Sequence, residues 1–166
     1  MTLRKRIAGL VFLLLISTAL WIGFSKLFTS TPRVTFTTIT GKKISLNDLR
    51  GKPVIVTFWA TDCPGCIREI PHLIDLYSRY HALGLEIIAV AMYYDPPSHV
   101  VAMSRDQQLP YDVALDLKSE HARAFGDVRL TPTTFLIASD GSIALQKIGA
   151  FEPADMKTRI EKLLKG

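Results

Sequence analysis

The residues able to do chemistry lie in one short stretch, WATDCPGCIREIP, residues 59–71. It holds Cys63 and Cys66, the two cysteines of a 166-residue chain, with Pro64 and Gly65 between them. A Cys-x-x-Cys pair can be a structural crosslink, half of a metal site or a redox dithiol. A crosslink over two intervening residues constrains little chain and so stabilises little. A structural zinc site needs four ligands, and there is no second cysteine pair. His72, His81, His99 and His121 are scattered, and His72 is out of ligand register with Cys66 on the same predicted helix. Covalent haem attachment needs a histidine directly after the pair, where Ile67 stands. A redox dithiol remains, with no metal and no other cofactor expected.

The elements around the pair suit that chemistry. PVIVTFWA, residues 53–60, is a continuous apolar run, as in a strand covered on both faces. From Pro64 to about Ala82, Ile67, Ile70, Leu73, Ile74, Tyr77 and Tyr80 recur at helical spacing, ending near Gly84. The cysteines therefore follow a buried strand and open a helix. Unpaired N–H groups and a positive partial charge at a helix start stabilise a thiolate. This predicts Cys63 as the exposed nucleophile and Cys66, a turn deeper, as the resolving thiol. Pro64 suits the first turn, where its missing N–H costs nothing.

The remaining pattern frames these two elements. VTFTTI and KKISL around Gly41 predict an N-terminal β-hairpin, and LEIIAVAM (85–92) a second buried strand. Asp95-Pro96-Pro97-Ser98 is expected to open a helix reaching about Gln108. YDVALD then holds a short strand, and Ser119 is expected to cap a brief helix ending at Gly126. TTFLIAS, the Asp140-Gly141 turn and SIALQKIG predict a hairpin. Pro153 starts a last helix with Met156, Ile160, Leu163 and Leu164 on one face. The sum is an α/β sandwich around one sheet.

The first 30 residues differ in kind. Arg4, Lys5 and Arg6 precede an uncharged run from Ile7 to Phe24. At 1.5 Å per residue that run reaches about 27 Å, close to a bilayer's hydrocarbon thickness. Its flanks place the N-terminus in the cytoplasm and the rest across the membrane. Residues 1–30 are thus expected to be a basic tip, one transmembrane helix and the start of a linker, with residues 31–166 as the folded domain. Ser17-Thr18-Ala19 also offers a signal cleavage site, so a soluble exported form is the alternative. Of the formal charge of +5, four positive charges belong to residues 1–30, leaving +1 for the domain. Such a balance, without a basic cluster, carries no nucleic-acid footprint.

WATDCPGC resembles the Trp-Ala-x-x-Cys-x-x-Cys site of the thioredoxin superfamily. The longer CPGCIREIP, the N-terminal hairpin, an insert around residues 93–126 and the apolar N-terminus are similar to the TlpA/ResA-like exported thiol–disulfide oxidoreductases. The likeness covers about residues 34–165. It implies a thioredoxin-like three-layer sandwich with a hairpin extension and an insert, preceded by a transmembrane helix. It also implies a cis proline opposite the dithiol, matched by Pro132 in LTPTTFLI, with Thr131 offering backbone groups to a substrate strand. Trp59, Pro64, Thr131 and Pro132 would then form the substrate-binding surface. Glu69, otherwise a solvated helix residue, matches a glutamate that takes part in the dithiol's proton chemistry. Thr57 stands where thioredoxin keeps a buried aspartate. Asp62 and Gly65 depart from the commoner aromatic and proline.

The resemblance implies a membrane-tethered reductase of periplasmic protein disulfides, apocytochrome c among them, supplied by a membrane electron donor. The alternatives are a dithiol oxidase or isomerase, or a Sco-like copper-binding assembly protein. A peroxiredoxin would carry Thr where Ala60 stands.

Overall fold

The computed structural model describes residues 31–165 and, near the N-terminus, positions 12, 14, 16, 17 and 18, which are helical. Contacts divide the chain into two units, Met1–Ser30 and Thr31–Gly166. The expected membrane span at 7–24 lies largely outside the described residues. Among those that are described, no helix is long and apolar enough to cross a membrane.

The second unit is built on a five-stranded mixed sheet. In chain order come β1 (Thr35–Thr37), β2 (Lys43–Ser45), β3 (Val54–Trp59), α1 (Pro64–Tyr80), β4 (Glu86–Ala91) and α2 (Pro97–Asp106). Then follow β5 (Asp112–Leu115), α3 (Glu120–Ala124), β6 (Thr133–Ile137), β7 (Ile143–Ile148) and α4 (Pro153–Lys165). The spatial order is β5-β4-β3-β6-β7, with β3, β4 and β5 parallel and β6 and β7 antiparallel to their neighbours. The β1–β2 hairpin is a separate ribbon, tied to the sheet by the Ile39 N–H donating to Val113 O at 2.8 Å.

The apolar run of β3 has its physical reason in two cores. Ile55 and Trp59 point into one, beneath α1 and α4, with Ile70, Leu73, Met156 and Ile160. Val54, Val56 and Phe58 point into the other, with Phe36 of the hairpin and Phe125. Alternate side chains of a strand leave opposite faces, so a strand covered on both sides must be apolar throughout.

One expectation about a helix start needs correction. Ser119 has φ 55° and no side-chain cap bond. Asp116 does that work, accepting the His121 N–H at 3.0 Å and the Ala122 N–H at 2.8 Å. The helix expected from the Asp95–Ser98 segment does form, with Pro96 at its N-cap position and Gln107 at its C-cap. The helix over Pro64–Tyr80 tolerates Pro71 in its interior and finishes in a 3-10 turn over His81–Leu83, closed by Gly84 at φ 111°.

Register brings the site together. Phe58, next to last in β3, pairs with Thr133, the first residue of β6. Because the two strands run in opposite directions, the end of β3 and the start of β6 lie at the same end of the sheet. The turn leading to the cysteines and the Thr131–Pro132 loop meet there.

Candidate active site

Cys63 is the N-cap of α1, in extended conformation, followed by Pro64 at the first helical position. Its Sγ accepts the Cys66 N–H at 3.1 Å, one of the donors a helix start leaves unpaired. The two sulfurs are bonded, with Cα atoms 5.3 Å apart. Cys63 is partly exposed, whereas Cys66 is 3% exposed and belongs to the core under α1. An attacking partner can therefore reach the first sulfur and not the second. On reduction, the N–H and the helix's positive end would be aimed at the Cys63 sulfur.

The Thr131–Pro132 peptide bond is cis. Pro132 is buried against the start of α1, and its carbonyl accepts the Gly149 N–H at 2.8 Å. A Cβ placed on Gly65 would come 3.2 Å from Pro132 Cδ. The dithiol turn thus packs so closely on the proline that a side chain at position 65 would need the ring to shift by a few tenths of an ångström. Thr131 is partly exposed, and among the described residues its main-chain groups make no hydrogen bond. Pro64 is exposed on the helix start. Trp59, by contrast, is 4% exposed and lies beneath the dithiol, so it walls the site from inside and offers no surface to a polypeptide.

Under the disulfide, Cys66, Glu69, Trp59, Thr57 and Tyr111 line a small recess with room for about one water. Glu69 is 3% exposed, and its Oε1 accepts the Phe151 N–H at 2.7 Å. Burial, only partly offset by that bond, pushes its carboxyl up to about 7. Tyr111, across the recess, is held well above the ordinary phenol range by burial and then by the charge of Glu69. Thr57 shares a 2.8 Å hydrogen bond with Thr134 and has no acidic proton to exchange. The site thus holds an accessible sulfur, a shielded sulfur and one acid poised near neutrality. That set can attack a disulfide, release it and move the accompanying proton.

Among the described residues no group of three or more His, Cys, Asp and Glu side chains could hold a metal ion. His121 packs on Phe36, ring centroids 4.7 Å apart, and Phe36 belongs to the core on the face of the sheet opposite Cys66.

A thioredoxin-like sheet carrying a Cys-Pro-Gly-Cys helix start against a cis proline defines a thiol–disulfide oxidoreductase. The chain belongs to the AhpC/TSA family, whose model matches residues 29–146. It is 35% identical over 137 residues to the thiol-disulfide oxidoreductase ResA of Bacillus thuringiensis, covering 81% of this chain and 74% of that one. A ResA from Geobacillus thermodenitrificans is 32% identical over 132 residues, covering 80% and 75%. Among solved structures it is similar to a thioredoxin-type protein of Neisseria meningitidis, with TM-score 0.78, 29% identity and coverage of 83% and 91%. It is also similar to a thiol:disulfide interchange protein of Chlorobium tepidum, with TM-score 0.75, 28% identity and coverage of 82% and 96%.

Three participants escaped the sequence reading. The Phe151 N–H and Tyr111 meet Glu69 only because α1 packs against distant segments. Asp95 looks from sequence like a helix-start residue, and nothing local signals that its partner lies 34 positions earlier.

Proposed function

We propose that this protein is an exported reductase of protein disulfides, tethered to the inner membrane by residues 7–24 with its domain in the periplasm. Cys63 attacks the substrate disulfide and becomes joined to one substrate sulfur, while the other leaves as a thiol. Cys66 then attacks Cys63, closing the Cys63–Cys66 disulfide and releasing the second substrate thiol. The protein's dithiol is oxidised and the substrate disulfide reduced, two electrons in all. Glu69 exchanges the proton of Cys66 in that second step, and Thr131 beside Pro132 pairs with the substrate backbone. A membrane donor returns the electrons, which an oxidising compartment requires of any reductant. Apocytochrome c is the substrate suggested by the resemblance to ResA-like proteins.

The observation that carries this reading is the difference between the two sulfurs, one partly exposed at the N-cap and one buried against Glu69. The absence of a histidine between the cysteines supports the reducing direction. The test is the reduction potential of the dithiol. A value near thioredoxin's, on the order of −270 mV, is expected, and one near that of strong exported oxidants, on the order of −120 mV, would replace reductase by oxidase.

A further inference from the structure

Apart from the groups already assigned, one buried charge touches the dithiol turn. Asp95 lies in the loop joining β4 to α2 and is 5% exposed. Its Oδ2 accepts the Thr61 main-chain N–H at 2.6 Å, and its Oδ1 accepts the Thr61 hydroxyl at 2.7 Å. Its own N–H donates to Met92 O at 3.0 Å, which anchors the loop to the end of β4. A buried carboxylate is costly unless its oxygens are satisfied, and here one residue satisfies both. Bonds of this kind, with a charged acceptor, are short and about twice as strong as neutral ones.

Thr61 stands two residues before Cys63, in a turn closed by the Cys63 N–H donating to Ala60 O at 3.2 Å. We propose that Asp95 is a positioning residue for the dithiol: by clamping Thr61 it holds the 60–63 turn so that Cys63 stays at the helix N-cap. The position matters because in that geometry the Cys63 sulfur accepts the Cys66 N–H at 3.1 Å. The same loop carries Tyr94, whose hydroxyl lies 3.5 Å from Thr131 Oγ1. One loop thus braces the dithiol turn and touches the residue before the cis proline. The other charged groups around the pair are Asp62 and Arg68, both exposed, and Glu69 below it. None of the three is bonded to Thr61.

The inference rests on Cys63 being the attacking thiol, and its test reads that separately. Full-length reduced protein in detergent is alkylated with iodoacetamide across a pH series, and peptide mapping identifies the modified cysteine. Thr61→Val is isosteric but loses the hydroxyl donor, while the charge of Asp95 remains. It should raise the pH midpoint of Cys63 alkylation and slow the reaction at pH 7 by about tenfold, the size of one hydrogen bond's net effect. Thr61→Ser, which keeps the hydroxyl, should restore the wild-type profile. Asp95→Asn should move the midpoint in the same direction as Thr61→Val. A wild-type midpoint and rate in Thr61→Val, even with a lowered Tm, would reduce Asp95 to a fold-stabilising group. A lowered midpoint in Asp95→Asn would show a charge opposing the thiolate, and overturn the clamp. Should Asp95→Asn not fold, the Val and Ser variants decide alone. Mapping of the reactive thiol to Cys66 would instead sink the assignment of the attacking sulfur.

Discussion

The two walls of the dithiol each hold a buried carboxylate, and they are treated oppositely. On the inner wall Glu69 accepts one bond, from the Phe151 N–H, and lies in an apolar recess with Cys66 and Trp59. On the outer wall Asp95 receives two donors from Thr61, one on each oxygen. An under-satisfied buried acid is pushed towards its neutral form and can exchange protons near pH 7. A fully satisfied one is fixed in place and fixes what it holds. The lesson is that burial alone does not assign a role, since the number of donors decides between moving a proton and holding a turn.

The largest effects test whether the walls serve different sulfurs. Cys63→Ser should abolish turnover and trap almost no partner. Cys66→Ser should accumulate mixed disulfides that vanish on reduction, visible on non-reducing gels. Equal trapping by the two variants would erase the distinction between an outer attacking and an inner resolving sulfur.

Next comes the inner wall alone. The Glu69 carboxyl titrates at about 7 in the folded protein and at its ordinary value of 4.5 when unfolded. Between those values the folded state binds the extra proton, so stability is full below about 4.5 and falls as pH rises to about 7. The loss is on the order of 3 kcal/mol for the oxidised protein. Urea unfolding of Glu69→Gln should show no such slope over that window, and its resolving step should lose the ionisation near neutrality. A variant that keeps the wild-type slope would remove Glu69 from the inner wall's chemistry.

A smaller change probes where the walls meet. Gly65→Ala places a methyl 3.2 Å from Pro132 Cδ, closer than the proline ring accepts without shifting. The cost should be about 1 kcal/mol in denaturant unfolding, with slower attack on protein disulfides than on small ones. Equal slowing for both substrates would detach Pro132 from polypeptide binding. The smallest effect sets the baseline. Lys42 and Asp112 form an exposed 2.9 Å pair on the hairpin side of the sheet. Lys42→Ala should cost under about 1 kcal/mol and leave both sulfurs' chemistry unchanged.

What the residues determined on their own was local. The apolar run of residues 53–60 implied a strand covered on both faces, and helical spacing after Pro64 implied an amphipathic helix with the cysteines at its start. Both depend on short-range periodicity and on unpaired N–H groups, which a linear chain displays. The thioredoxin-like class was legible for the same reason, since Cys-Pro-Gly-Cys and Thr-Pro-Thr are short contiguous patterns. The length of the Ser119 helix was legible too, but not its cap, because Asp116 reaches the helix from the end of β5. Tertiary structure decided what lies across space. Antiparallel pairing of β6 with β3 set Pro132 against Gly65, 67 positions away in the numbering. Packing of the segment before α4 over α1 put the Phe151 N–H on Glu69 and so gave that carboxyl its altered acidity. The return of the β4–α2 loop turned Asp95 from a helix-start residue into the partner of Thr61. Donors, desolvation and close approach are properties of neighbours in space, and only the folded chain chooses them.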